Sequence, residues 1–210
     1  MDSLRFVVTG TVGAGKSTFV RTFSETAVVD TERSATDQTS LLKKKTTVAF
    51  DLGMRTLGSK LDLQIYGTPG QSRFDFMWDM LIRRAHAFIL LVAANRSTDF
   101  QQAREILTFM NQRAQIPMMI GMTCTDLPGA WGQEHIMFAL GYTSDRDRPP
   151  VVTVNPNDRT SVFEALMVLM AHMIAEGGLP QQSTSNSMAQ RTTPTRSTYQ
   201  WAAGQFARGR

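Results

Sequence analysis

Hydrophobic residues in this chain arrive in short runs, separated by glycine, polar loops and amphipathic stretches. Leu4 to Thr9 is a β-branched-rich apolar run that stops at Gly10 and predicts a buried parallel strand. Ser17 to Phe23 predicts a helix start. The polar stretch from Asp30 to Lys45 has no apolar period and predicts a loop. Thr47 to Met54 and Lys60 to Tyr66 predict two strands, and the intervening Gly58-Ser59 predicts a hairpin turn. Ser72 to Ala85 has Phe74, Met77 and Leu81 spaced for one helix face. Ala87 to Ala94 predicts a buried strand and Asp99 to Ala114 a helix. Pro117 to Thr123 then predicts a strand, Gly132 to Leu140 a short helix and Val151 to Val154 a last strand. Val162 to Ala175 predicts an apolar helix, its methionines acting as adaptable packing. This alternation implies an α/β fold, a doubly wound, mainly parallel sheet with one antiparallel hairpin strand.

Composition changes the picture mainly at the C-terminus. The chain has 210 residues and a formal charge of +4. No Asp or Glu follows Glu176, while Arg191, Arg196, Arg208 and Arg210 do, so the whole excess belongs to the last 34 residues and the body is neutral. The expected organisation is a domain over 1–176 and a disordered basic tail over 177–210. Tyr199, Trp201 and Phe206 lie among those arginines, but the charge is too sparse for more than weak membrane attraction. A neutral body argues against a nucleic-acid partner, and Lys43-Lys44-Lys45 reads as a solvated loop near phosphates. The chain has one cysteine, no apolar run of membrane-spanning length and no signal-peptide order at its start, which predicts a cytoplasmic protein without stable membrane insertion. His86, His135 and His172 lack a spacing that suggests a metal site.

The chemistry starts at Gly10-Thr11-Val12-Gly13-Ala14-Gly15-Lys16-Ser17-Thr18, which has the spacing of a phosphate-binding loop. Glycines allow consecutive backbone N–H groups to turn inward around a phosphate, and the following helix adds its N-terminal dipole. Lys16 is placed to reach the β- and γ-phosphates, and the Ser17 hydroxyl to bind Mg²⁺. The loop by itself leaves GTPases, ATPases and small-molecule kinases open.

An ordered series follows. Lys45-Thr46-Thr47 runs into Asp51. Ile65-Tyr66-Gly67-Thr68-Pro69-Gly70-Gln71 comes next, then Phe76-Met77-Trp78. Thr123-Cys124-Thr125-Asp126 ends one strand, and Asn155-Pro156-Asn157 follows the last. Through these residues, roughly 4 to 176, the chain resembles the Ras-like small GTPases, most of all the bacterial gliding-motility (Mgl-type) branch. The resemblance implies the three-layer P-loop fold and a GTP/GDP switch with Mg²⁺ as cofactor. Thr47 would meet Mg²⁺ and the γ-phosphate, the Gly70 amide would contact the γ-phosphate, and Gln71 would orient the attacking water. Asp126 would accept the N1–H and N2 amino donors of guanine, a pair adenine does not offer. Thr123 and the Asn155–Asn157 loop would complete the base site.

The series departs from the family pattern in three places. Gly67 stands where the third motif has Asp. Thr123 and Cys124 replace Asn and Lys. Thr46 stands where Mgl-type proteins carry a catalytic arginine. These departures predict slow intrinsic hydrolysis, stimulated by a partner. The resemblance points to a roadblock-domain regulator and an unspecified effector. The alternatives are a nucleotide-binding scaffold with little turnover and an ATP-binding P-loop protein.

Overall fold

In the computed structural model, the described residues are 2–25, 51–58, 61–70 and 75–177. The expectations for Lys43–Lys45, Thr47, Gln71, Phe74 and the tail from 178 onward lie outside them. Among the described residues six strands form one sheet: β1 (Asp2–Gly10), β2 (Asp51–Leu57), β3 (Leu61–Gly67), β4 (Ala87–Ala93), β5 (Met118–Thr123) and β6 (Val151–Thr153). The order across it is β2-β3-β1-β4-β5-β6, with only the β2–β3 pair antiparallel. The α-helices among the described residues are α1 (Lys16–Phe23), α2 (Asp75–Ile82), α3 (Phe100–Arg113), α4 (Gln133–Leu140) and α5 (Arg159–Ala175). This is the mainly parallel, three-layer α/β architecture that the hydrophobic pattern predicts.

Side-chain alternation along the strands divides the core in two. Leu4, Phe6, Val8, Ile89 and Leu91 point to one face of the sheet, under Phe19, Val20 and Phe23 of α1 and Val162, Leu166, Leu169 and Met173 of α5. Val7, Phe88, Leu90, Val92, Ile120 and Met122 point to the other, under α2, α3 and α4. Both faces of β4 are buried over its whole length, which accounts for its unbroken apolar sequence. Each Leu or Phe sealed in this way adds about 1.5–3 kcal/mol of hydrophobic stabilisation over an exposed one.

Element ends shift for local reasons. α5 begins a turn earlier than its apolar run, because the Asp158 carboxylate caps it by accepting from the Thr160 and Ser161 N–H groups. A short 3₁₀ turn (Ser97–Asp99) precedes α3. Gly58, at φ +62°, makes the reversal after β2. Among the described residues no helix is long and apolar enough to cross a membrane.

Candidate functional site

The carboxyl ends of the parallel strands gather the chemistry, as an open α/β sheet requires. β1 runs straight into the phosphate loop and α1 leaves it. Gly13 and Gly15 adopt φ +77° and +95°, left-handed values that turn the intervening N–H groups toward one centre. Ala14 is sealed in the core and anchors the loop from below.

Lys16 is the buried charge of the site. Its Nζ donates to the Thr11 carbonyl at 2.6 Å. Burial pulls its pKa down to about 8, against an upward pull from the Asp51 carboxylate. Gly70 lies against the same place. A Cβ on it would sit 2.7 Å from the Val12 nitrogen and 2.8 Å from Lys16 Nζ. Only glycine lets the backbone after β3 approach the loop so closely. Trp78 of α2 holds this segment, its indole N–H donating to the Pro69 carbonyl at 2.8 Å. Thr68 is tied to β1 through the Thr9 hydroxyl at 2.9 Å.

A carboxylate stands beside Gly67, from the neighbouring strand. Gly67 and Asp51 face each other across the antiparallel β2–β3 pair. A Cβ on Gly67 would lie 3.3 Å from both Cβ and Oδ2 of Asp51. The Asp51 side chain therefore occupies the space that a side chain at 67 would enter, and it acts electrostatically on Lys16. The donor types present, the Ser17 hydroxyl and the Asp51 carboxylate, are the hard oxygens that suit Mg²⁺.

At the base end, Thr123 closes β5 with a buried side chain whose hydroxyl donates to the Ala14 carbonyl at 3.1 Å. This bond ties the phosphate loop to the strand that leads to Asp126. Cys124 follows at φ +56°, half-buried, turning the chain outward. Asp126 is exposed in the turn beyond it and caps no helix, since α4 starts at Gln133 behind Gly132. The loop after β6 packs on the same region. The Thr22 hydroxyl donates to the Pro156 carbonyl at 2.6 Å, and a Cβ on Gly15 would meet Pro156 Cγ at 2.7 Å. The Asn155 N–H is bound to the Ser161 hydroxyl, the Asn157 N–H to the Asn155 side chain, and Pro156 has none.

Of the residues named from sequence, the structure thus brings together the 10–18 loop, Gly70, Thr123 and the 155–157 loop, with Asp126 at the end of the same strand. Thr47 and Gln71 are not among the described residues. Asp51 was named only as the end of a motif, and its role is legible only through its cross-strand pairing. Arg96 had no sequence signal. It follows β4, and its Nη1 donates to the Val12 carbonyl at 2.9 Å. Each histidine has a neighbour in the fold. His86 Nδ1 accepts from the Arg5 N–H, with its pKa lowered first by burial and then by the Arg5 charge. His135 stacks edge-on against Trp131, and His172 pairs with Glu176. Among the described residues no group of His, Cys, Asp and Glu could hold a metal by itself.

Comparison with known proteins places this arrangement. The model of the family described as "Conserved hypothetical ATP binding protein" matches residues 8–193. The human Ras-related protein Rab-19 is 26% identical over 206 residues, covering 89% of this chain and 87% of that protein. Rab-1C of Dictyostelium discoideum is 24% identical over 173 residues, covering 79% and 78%. Among solved structures, the Arl6 BBS3 small GTPase from Trypanosoma brucei with bound nucleotide analogue GppNp superposes with a TM-score of 0.61. Identity there is 16%, over 80% of this chain and 96% of that one.

Proposed function

The chain belongs to the family of conserved hypothetical ATP-binding proteins, and from that premise we propose that it is a GTP-binding switch that hydrolyses GTP slowly. The observation that carries the reading is the buried Lys16 amine inside the phosphate loop, with Gly70 and Asp51 converging on it. The Rab relatives and the Arl6-like fold support guanine over adenine as the base, and so does Asp126 in the turn after β5.

In this reading the loop N–H groups and Lys16 hold the β- and γ-phosphates, and the Gly70 amide meets the γ-phosphate. Gln71 orients the attacking water. Ser17 and Thr47 would hold Mg²⁺, and the Asp51 carboxylate would supply a further oxygen in the space beside Gly67. The metal, when bound, neutralises charge on the β- and γ-oxygens. Loss of the γ-phosphate removes the contact that holds Gly70, and Trp78 relays the change to α2. Gly67 in place of the third-motif Asp supports placement in the Mgl-type branch, while Thr46 departs from that branch. The arginine missing at 46 supports regulation by a roadblock-domain partner, and the single cysteine supports a cytoplasmic location.

The test is titration of the full chain with labelled GTP, GDP and ATP in the presence of Mg²⁺. Micromolar or tighter guanine-nucleotide binding, resistant to excess ATP, is the expected result. Gln71→Leu should then stop hydrolysis while binding persists. Unchanged turnover in that variant would leave a nucleotide-binding scaffold. An ATP reading has one structural observation in its favour. The 155–157 loop offers no free backbone donor to a guanine O6, since its N–H groups are engaged or absent. Displacement of labelled GTP by equimolar ATP would establish it.

A further inference from the structure

We propose that Arg96, in the connection between β4 and α3, is a catalytic arginine supplied in cis to the phosphate loop. The inference rests on the GTPase reading above. Arg96 Nη1 donates to the Val12 carbonyl at 2.9 Å. A Cβ on Gly13 would collide with that nitrogen and lie 3.0 Å from Cζ. The guanidinium therefore occupies the flank of the loop that a side chain at 13 would fill. Among the described residues no other arginine is hydrogen-bonded to the loop.

The position combines a fixed base with a free end. The Arg96 N–H donates to the Ala93 carbonyl at 3.1 Å, and the Asp99 N–H donates to the Arg96 carbonyl at 3.0 Å. The backbone is thus locked between a central strand and the turn that opens α3. The side chain is 48% exposed, and among the described residues its one charge partner, Asp99, stands at 3.9 Å. Such a loose ion pair in water restrains it weakly. Its acceptor at rest is a neutral carbonyl. A phosphate oxygen is an anionic acceptor, and charge-assisted bonds are about twice as strong as neutral ones. A triphosphate in the loop therefore draws the guanidinium from Val12 to the phosphates, and the planar fork spans two oxygens where a lysine presents a point charge.

In the hydrolytic step the water oxygen bonds to the γ-phosphorus. The bond from that phosphorus to the bridging oxygen breaks, and its electron pair leaves on GDP. The water protons end on phosphate and solvent. Arg96 gives and takes no proton and supplies only positive charge where negative charge grows on the bridging and γ-oxygens.

The experiment compares the full unmodified chain with Arg96→Ala and Arg96→Lys. It measures GDP affinity, trapping of GDP with aluminium fluoride and single-turnover GTP hydrolysis. The unmodified chain should trap GDP–aluminium fluoride with no partner present. Both variants should bind GDP as before, fail to trap, and hydrolyse GTP at least about tenfold more slowly. A chain that binds GDP without trapping the fluoride complex overturns the inference and leaves the GTPase reading standing. So does a lysine variant with full rate, or a loss of rate that merely follows a loss of GDP affinity. An unmodified chain that binds no GDP overturns the GTPase reading and the inference with it.

Discussion

Asp51 and Gly67 are cross-strand neighbours, and the carboxylate of the first stands 3.3 Å from where the side chain of the second would begin. A carboxylate moved one strand over reaches the same space, because directly opposed Cβ atoms in an antiparallel pair are only about 4.5–5.5 Å apart. Removing it should therefore weaken the metal. Asp51→Ala is expected to lower Mg²⁺ affinity of the GTP-bound chain about 10–100-fold, the usual cost of an outer-shell partner. Gly67→Asp by itself crowds Asp51 with a like charge and should also weaken binding. The double change Asp51→Ala with Gly67→Asp should recover most of the loss. Mg²⁺ titration of nucleotide release measures all three. An unchanged affinity in Asp51→Ala would assign Asp51 no role at the metal, and equal defects in Asp51→Ala and the double variant would show that position 67 cannot take its place.

Lys16 ties nucleotide affinity to pH. Its folded pKa of about 8 lies below the ordinary lysine value of 10.5. Between those values the unfolded chain holds more protons than the folded one, so stability of the nucleotide-free chain should rise with pH through that window. Nucleotide binding runs the other way. Phosphate favours the charged amine, so binding takes up a proton above pH 8, and affinity should fall there. Affinity measured from pH 7 to 9.5 checks this, and a flat profile would exclude titration of Lys16. Lys16→Ala should abolish the affinity.

The Thr123 hydroxyl bridges the phosphate loop and β5 at 3.1 Å from the Ala14 carbonyl. Thr123→Val keeps the volume and removes the donor, which leaves a carbonyl without that partner. A loss of about 1–3 kcal/mol in chemical denaturation is expected. Thr123→Asn offers an amide N–H in its place and should also affect nucleotide release. Urea melts of both variants distinguish the bond from simple packing.

Trp78 reports on the segment at Gly70. Its indole is almost fully buried and is hydrogen-bonded to Pro69, next to the residue assigned to the γ-phosphate. Exchange of GDP for a non-hydrolysable GTP analogue should change tryptophan fluorescence, and Trp78→Phe should remove that change. Persistence of the signal in Trp78→Phe would place its source at another of the three tryptophans.

Much of this molecule was legible along the chain because the relevant physics is local. Apolar runs of strand length, the glycine spacing of residues 10–15 and the Gly58 turn each encode backbone behaviour within a few residues. All six strands and the antiparallel hairpin accordingly fall on the predicted runs, although β2 continues to Leu57, three residues past its predicted end at Met54. Lys16 could be named for the same reason, since loop and helix bring their own N–H groups and dipole. What stayed hidden depends on atoms far apart in sequence. Asp51 reaches the space beside Gly67 only through the β2–β3 register. Thr123 binds Ala14 across 109 residues and Arg96 binds Val12 across 84. The burial that shifts Lys16 exists only once β1, β3 and α1 close around it. A sequence specifies its hydrophobic period and its turns locally, whereas distance, desolvation and charge coupling arise only when the sheet sets remote residues side by side.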